Sequence, residues 1–251
     1  MTETQGPQRA MAIVAHPDDT EFLCGGTVAR WCDEGWEVIY IVATSGDKGT
    51  RDPNLSSQEL AAIREREQRE AAAVLGVKEV IYLGYPDGFL EETLDLREQL
   101  VRLLRRYQPQ VVVTWDGFRR NFNHRDHRVI GRVAYDAVFP AARTPLYHPE
   151  HLRQGLEPYR ASELLLAGSE EPDYHVDISA YLDRKLEALR RHVSQVGDRP
   201  RREMATRLRR WHREAGKKAG YKYAESFRRL QIGGPPAEGR RRSRGAKAAA
   251  R

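Results

Sequence analysis

Short apolar, β-branched runs alternate along the chain with longer segments whose apolar positions recur every three or four residues. The runs at 11–15, 37–44, 79–83, 110–115 and 162–167 read as strands, and their near-continuous apolar character suits a parallel sheet covered on both faces. A helix capped by Asp19 or Thr20 and running to about Glu34, with Gly35 as its stop, follows the first run. Residues 57–75 are rich in Glu, Arg, Ala and Gln with Gly76 behind them, and 94–107 are amphipathic and end before Pro109, so both segments predict helices. The apolar spacing from Arg128 to Ala137 predicts another helix, 181–195 and 201–219 predict charged surface helices, and 176–178 adds a short outer strand. Strands alternating with helices imply the α/β class, with a mostly parallel sheet flanked by helices.

At 251 residues the chain fits one such domain, expected over 1–232. No apolar run of about 18 residues is present, so no membrane span is expected. The first nine residues are polar and lack the apolar core of an export signal, which makes the cytoplasm the default. Cys24 and Cys32 lie eight residues apart on one predicted helix, about 12 Å at 1.5 Å per residue. A disulfide needs Cα atoms within roughly 7 Å, so these read as buried thiols. Cys24 is near enough to the chemistry described below to ligate a metal, but a core position beside Gly25 and Gly26 is the simpler reading. The net charge of +6 owes much to 233–251, where Arg240, Arg241, Arg242 and Arg244 lie in a segment without apolar periodicity. That composition predicts a solvated, disordered tail, with non-specific contact to nucleic acid as the competing use.

The chemistry is concentrated where strands end. The first run leads into Ala15-His16-Pro17-Asp18-Asp19-Thr20-Glu21, and ligands of open α/β sheets bind beyond the carboxyl ends of the strands. Pro17 disfavours helical geometry at His16, so a turn precedes the helix. A catalytic zinc takes three protein ligands and leaves a position for water; His16 and Asp19 would supply two. Asp18, next to a ligand, is then free to act as a general base. Helix capping is the competing use of these carboxylates.

The fourth run, Gln110-Val111-Val112-Val113-Thr114-Trp115, is followed by Asn123-His124-Arg125-Asp126-His127, and a histidine from this loop can complete a His, Asp, His set. His127 lies near a helix start, and Asp126 or a backbone carbonyl could fix its second ring nitrogen. His148 and His151 share the same spacing but follow no apolar strand, which favours an exposed loop; His175, His192 and His212 are isolated. The loop Thr44-Ser45-Gly46-Asp47-Lys48-Gly49-Thr50 is no phosphate loop, because Gly49 separates Lys48 from Thr50 and Asp52-Pro53 follows. It reads as a wall of the substrate crevice.

The two histidine motifs together resemble the signatures of the PIG-L/LmbE family of metal-dependent N-deacetylases. The resemblance extends through Ile63-Arg64-Glu65-Arg66-Glu67-Gln68, Leu83-Gly84-Tyr85-Pro86-Asp87-Gly88, Val176-Asp177-Ile178-Ser179 and Tyr223-Ala224-Glu225-Ser226-Phe227. It implies a Rossmann-like three-layer fold, zinc held by His16, Asp19 and His127, Asp18 as general base, and His124 stabilising the oxyanion. It further implies Arg64, Asp87 and Arg160 facing substrate, with Glu21 and Asp126 behind the ligands. The family's second motif usually reads His-Pro-Asp-His, and Arg125 replaces the proline here.

The implied reaction is hydrolysis of an N-acetyl group on an amino-sugar-containing small molecule by metal-activated water. Two histidines and a carboxylate also suit iron(II). A catalytically silent carbohydrate-binding protein of the same fold and a nucleic-acid-associated protein acting through the Arg-rich tail are the alternatives. No specific nucleic acid is expected, and a homo-oligomer is compatible with the sequence.

Overall fold

Each of the five apolar runs forms a strand whose alternate side chains pack on opposite faces of the sheet, those of the third only partly buried. The computed structural model describes residues 7–196 and 201–233. Strands β1 (Arg9–Val14), β2 (Glu37–Thr44), β3 (Glu79–Tyr85), β4 (Val111–Trp115) and β5 (Glu163–Ala167) run parallel in the order β3-β2-β1-β4-β5. Ala10, Ala12 and Val14 enter one apolar cluster, with side chains of α1 (Asp19–Asp33), α2 (Ser57–Leu75), α6 (Leu182–Leu189) and α8 (Arg201–Ala219). Met11 and Ile13 enter the other, with α3 (Leu94–Tyr107), α4 (Arg125–Asp136) and the π-helical turn Ala137–Ala141. Two short helices, α5 (Glu150–Arg153) and α7 (Val193–Val196), lie in connections. The result is the three-layer Rossmann-like α/β fold expected. Strand order reverses between β1 and β4, so the helices leaving them, α1 and α4, depart to opposite faces and open a crevice between their first turns.

The far edge departs from expectation. β7 (Ala224–Gln231), which the sequence pattern does not predict, pairs antiparallel with β5 and separates it from β6 (Tyr174–Asp177), the expected outer strand. Its segment, Ala-Glu-Ser-Phe-Arg-Arg-Leu-Gln, lacks an apolar run because its C-terminal half is only partly covered. The segment 181–195 splits into α6 and α7, and α6 is no surface helix, since Leu182, Lys185, Leu186, Ala188 and Leu189 are all buried. The basic tail lies, from residue 234, outside the described residues. Among the described residues no helix is long and apolar enough to cross a membrane.

Helix α1 is broken at Cys24, where φ is −141° and ψ is 15°. In a regular helix the Phe22 carbonyl would accept from the Gly26 N–H. Here the N–H groups of Gly26 and Thr27 donate to the Glu225 carboxylate at 2.9 and 2.7 Å, and Phe22 O accepts from Lys185 Nζ at 2.9 Å. Lys185 Nζ also meets Glu225 Oε1 at 2.5 Å, with both side chains all but inaccessible. The groups freed by the break are thus capped by a buried ion pair from β7 and α6. Glycine is required for this approach: a Cβ at Gly26 would lie 2.8 Å from the Ile178 side chain. Lys185→Met, which leaves Glu225 buried and uncompensated, is expected to lower unfolding free energy by about 3–5 kcal/mol in urea denaturation. An unchanged midpoint would contradict this account of the break.

Candidate active site and metal centre

The turn after β1 is built around the Asp19 carboxylate. Its Oδ2 accepts from the Ala15 and His16 N–H groups at 3.1 and 3.0 Å and from Trp115 Nε1, at the end of β4, at 3.1 Å. Asp19 is therefore not the helix cap. Asp18 holds that position, in the left-handed region at φ 89°, and makes no side-chain cap bond. A non-glycine residue there is strained, and the surroundings hold it. Asp18 N–H donates to Gln68 Oε1 at 2.8 Å, and Arg64 Nη2 donates to Pro17 O at 2.7 Å.

Asp19 Oδ1 lies 3.1 Å from His127 Nε2, which in turn lies 3.1 Å from His16 Nδ1; His16 Nδ1 and Asp19 Oδ2 are 3.7 Å apart. Two facing imidazole nitrogens at that distance need a proton or a cation between them. Donors 2.0–2.1 Å from one tetrahedral zinc lie about 3.3 Å apart, so the spacing fits a divalent cation. His16, His124 and His127 also form a possible metal-binding group. Against burial, which opposes its charge, bonds to Asp126, Asp19 and Asp87 raise the pKa of His16 to about 11. Burial likewise works against ionised Asp19, yet His127 and His16 hold its pKa well below the usual carboxylate range.

Asp126 supports His16 rather than His127. Its Oδ2 lies 3.1 Å from His16 Nε2, and the carboxylate also accepts from the N–H groups of Gly88 and Leu90 at 2.7 and 3.2 Å. Asp87 Oδ1 is 3.1 Å from the same His16 nitrogen, and its Oδ2 accepts from Lys48 N–H at 2.9 Å. His16 Nε2–H thus points at two carboxylates, leaving Nδ1 for the centre. His127 is fixed by stacking on Trp115, 4.2 Å between ring centroids, and among the described residues its buried Nδ1 has no hydrogen-bond partner. Trp115 carries no motif, and its position at the end of β4 was the one available signal.

Glu21, fully buried, takes Gln68 Nε2 at 3.0 Å and His192 Nε2 at 3.1 Å, and Gln68 carries that support to Asp18. Gln68, four residues beyond Arg64 on the same helix, escaped sequence reasoning although its spacing pointed to the same face. Arg64 is buried, bonds Pro17 O and Gly46 O, and lies 3.4 Å from Asp18 Oδ2. A Cβ at Gly46 would strike its guanidinium, so this loop packs directly on Arg64. Burial raises the pKa of Asp18 to about 6, with Arg64 opposing. His124 is exposed beside His16, 4.6 Å between centroids; partial burial and then the charges of His127 and His16 push its pKa down.

Arg160 is not brought to this group. It precedes β5, at the opposite end of the sheet, and its Nε donates to Ile232 O at 2.6 Å. His148 and His151 also lie apart from it. His151 is wholly buried rather than in an exposed loop, between Glu98 Oε1 at 2.5 Å and Arg105 Nη1 at 3.2 Å, because Arg105 gathers the surrounding carbonyls. Cys24 is buried in the apolar cluster and Cys32 partly so, both as free thiols.

The PIG-L (GlcNAc-PI de-N-acetylase) family model matches residues 11–138. The chain belongs to the PIG-L family. Diacetylchitobiose deacetylase of Thermococcus kodakarensis is 33% identical over 88% of this chain and 82% of its own length. The inhibitor-bound N,N'-diacetylchitobiose deacetylase of Pyrococcus horikoshii superposes with a TM-score of 0.85 at 36% identity, over 90% of this chain and 85% of that one. A 1D-myo-inositol 2-acetamido-2-deoxy-alpha-D-glucopyranoside deacetylase of Actinosynnema mirum is 28% identical over 76% of this chain and 81% of its own length. This PIG-L protein is an N-deacetylase, as its motifs implied.

Because His16 keeps its proton to about pH 11 in the metal-free chain, a cation entering between His16 and His127 must expel it. Zinc affinity is expected to rise with pH, weaker at about pH 6 than at about pH 8, with proton release measurable by calorimetry in buffers of different ionisation enthalpy. His127→Ala is expected to lose stoichiometric metal; retention would remove His127 from the ligand set.

Proposed function

We propose that this PIG-L protein removes the N-acetyl group of an amino-sugar-containing small molecule, with zinc, or iron(II) in its place, held by His16 Nδ1, Asp19 Oδ1 and His127 Nε2. The observation that carries the reading is the convergence of three donor atoms, His16 Nδ1, Asp19 Oδ1 and His127 Nε2, with the carboxylate of Asp18, the neighbour of Asp19 in the chain, held 3.4 Å from Arg64. Bound there, a divalent cation supplies Lewis-acid polarisation of the amide carbonyl and brings water's pKa toward neutrality. The relatives support the substrate class, since the named substrates of the Thermococcus and Actinosynnema enzymes are both acetamido sugars.

Asp18 accepts the proton of the attacking water as its oxygen bonds to the acetyl carbon. A pKa of about 6 makes it a carboxylate at neutral pH while keeping it basic enough for the task. Arg64 and Gln68 hold the turn, so the base does not have to reorganise during attack. His124, with its pKa lowered, meets the developing oxyanion as a neutral imidazole N–H donor. Asp18 then returns the proton to the departing nitrogen, the C–N bond breaks, and acetate and a free amine leave. The intact base separates this reading from a silent carbohydrate-binding role, which has no use for Asp18.

The decisive experiment is acetate release by zinc-loaded protein from N-acetylglucosamine, its β-1,4-linked disaccharide, N-acetylated thiol conjugates and glycosides. Asp18→Asn is expected to keep the metal and lose about 10²–10⁴-fold in turnover; equal activity removes Asp18 from the role, and no release from any substrate by metal-loaded protein sinks the deacetylation of these substrates. The rate is also expected to fall as pH drops and Asp18 is protonated. The acid limb should lie at or below the metal-free value of about 6, because a bound cation favours the carboxylate. An acid limb that stays at the same pH in a variant that keeps activity but lacks the Arg64 charge beside Asp18 (Arg64→Gln) contradicts Asp18 as base, since loss of that charge should move the limb upward.

A further inference from the structure

A recess of about 270 Å³ opens directly beside Asp18, and no part of the reaction described above uses its other walls. Phe22 of α1 and Met204 of α8 give it apolar surface, and Gln195 and Val196 of α7 close one side. Among the described residues, Glu203 and Arg207 add charged groups to its lining. These two are one helical turn apart in the order that normally pairs on a helix surface, yet among the described residues neither has an ion-pair or hydrogen-bond partner. A donor and an acceptor without partners among the described residues therefore share one small cavity.

The α7 wall is anchored to the groups that support the base. His192 bonds Glu21, Ser194 N–H and Oγ donate to Glu67 at 2.8 and 2.6 Å, and Gln195 Nε2 donates to Gly49 O at 3.0 Å. That side of the recess is thus held relative to Asp18 before any ligand arrives. Its volume lies at the lower edge of ligand pockets, about 300–1,000 Å³, and suits one ring rather than an extended chain.

Resting on the deacetylase reading, we propose that this recess binds the second sugar ring of the substrate, linked to the ring that carries the reacting acetamide, and that Glu203 and Arg207 select it. The ring lays its C–H face on Phe22 and Met204, while its hydroxyls donate to Glu203 and accept from Arg207. A charged acceptor and a charged donor side by side on one helix match a polyol, which offers both kinds of group, whereas an acyl chain offers neither.

Steady-state kinetics on N-acetylglucosamine and on its β-1,4-linked disaccharide test this. Both side chains are exposed on α8, so E203Q and R207A leave the packed core untouched. Each is expected to raise KM for the disaccharide about tenfold, the equivalent of one charge-assisted hydrogen bond, with kcat held and both constants for the monosaccharide unchanged. Equal effects on the two substrates, or none on either, would overturn the assignment. If the wild-type protein releases acetate from neither sugar, deacetylation of these two sugars fails separately, and calorimetric titration with the disaccharide judges the recess. Binding weakened by R207A retains the recess as a sugar site, whereas unchanged or absent binding removes it.

Discussion

The carboxylate of Asp19 is the constraint on which the site depends. One oxygen closes the turn after β1 and takes the indole N–H at the end of β4, while the other faces His127. A single side chain thus joins the two strands that flank the reversal in strand order and presents a ligand atom between them. Any shift of β4 relative to β1 would separate His127 from His16, because the helices that follow these strands leave the sheet on opposite faces.

Behind that carboxylate the protein keeps several charged groups in its interior and satisfies them in series. Glu21 receives His192 and Gln68, Gln68 receives the backbone of Asp18, and Arg64 spans Pro17 and Gly46. The break in α1 belongs to the same economy of bonds: it lets the first turns point at the crevice while Glu225 and Lys185 satisfy the N–H and carbonyl groups it frees. A left-handed aspartate, a broken helix and a buried lysine are each unfavourable alone. Together they hold the base and the metal-ligand candidates rigidly, as a preorganised site requires.

Membership of the PIG-L family fixes the class of chemistry, and the surroundings of the centre decide what is presented to it. Asp87 illustrates the division. It faces His16 with one oxygen and the loop at Lys48 with the other, so the crevice wall and the metal-ligand candidate are positioned by one group. Against the cost of burial, the His16 and Lys48 bonds bring its pKa down to about 2, which keeps it ionised throughout the working range.

Sequence alone determined the α/β class, the bounds of β2, α2, α3 and α8, and the two histidine motifs, because each of these is a local pattern of apolar spacing, capping or adjacent donors. It did not reveal β7, whose partly covered end carries arginines where an apolar run would be sought, nor the interior position of Lys185, which reads as solvated until Glu225 meets it. The same limit applies to Asp126: one position from His127 in the chain, it turns to His16, 110 residues away. Only the tertiary structure decided that pairing, as it decided the left-handed turn at Asp18 and the placement of Arg160 at the far end of β5, since partners and directions come from how strands and helices are stacked. Local spacing names the groups available for chemistry; packing assigns each of them its partner.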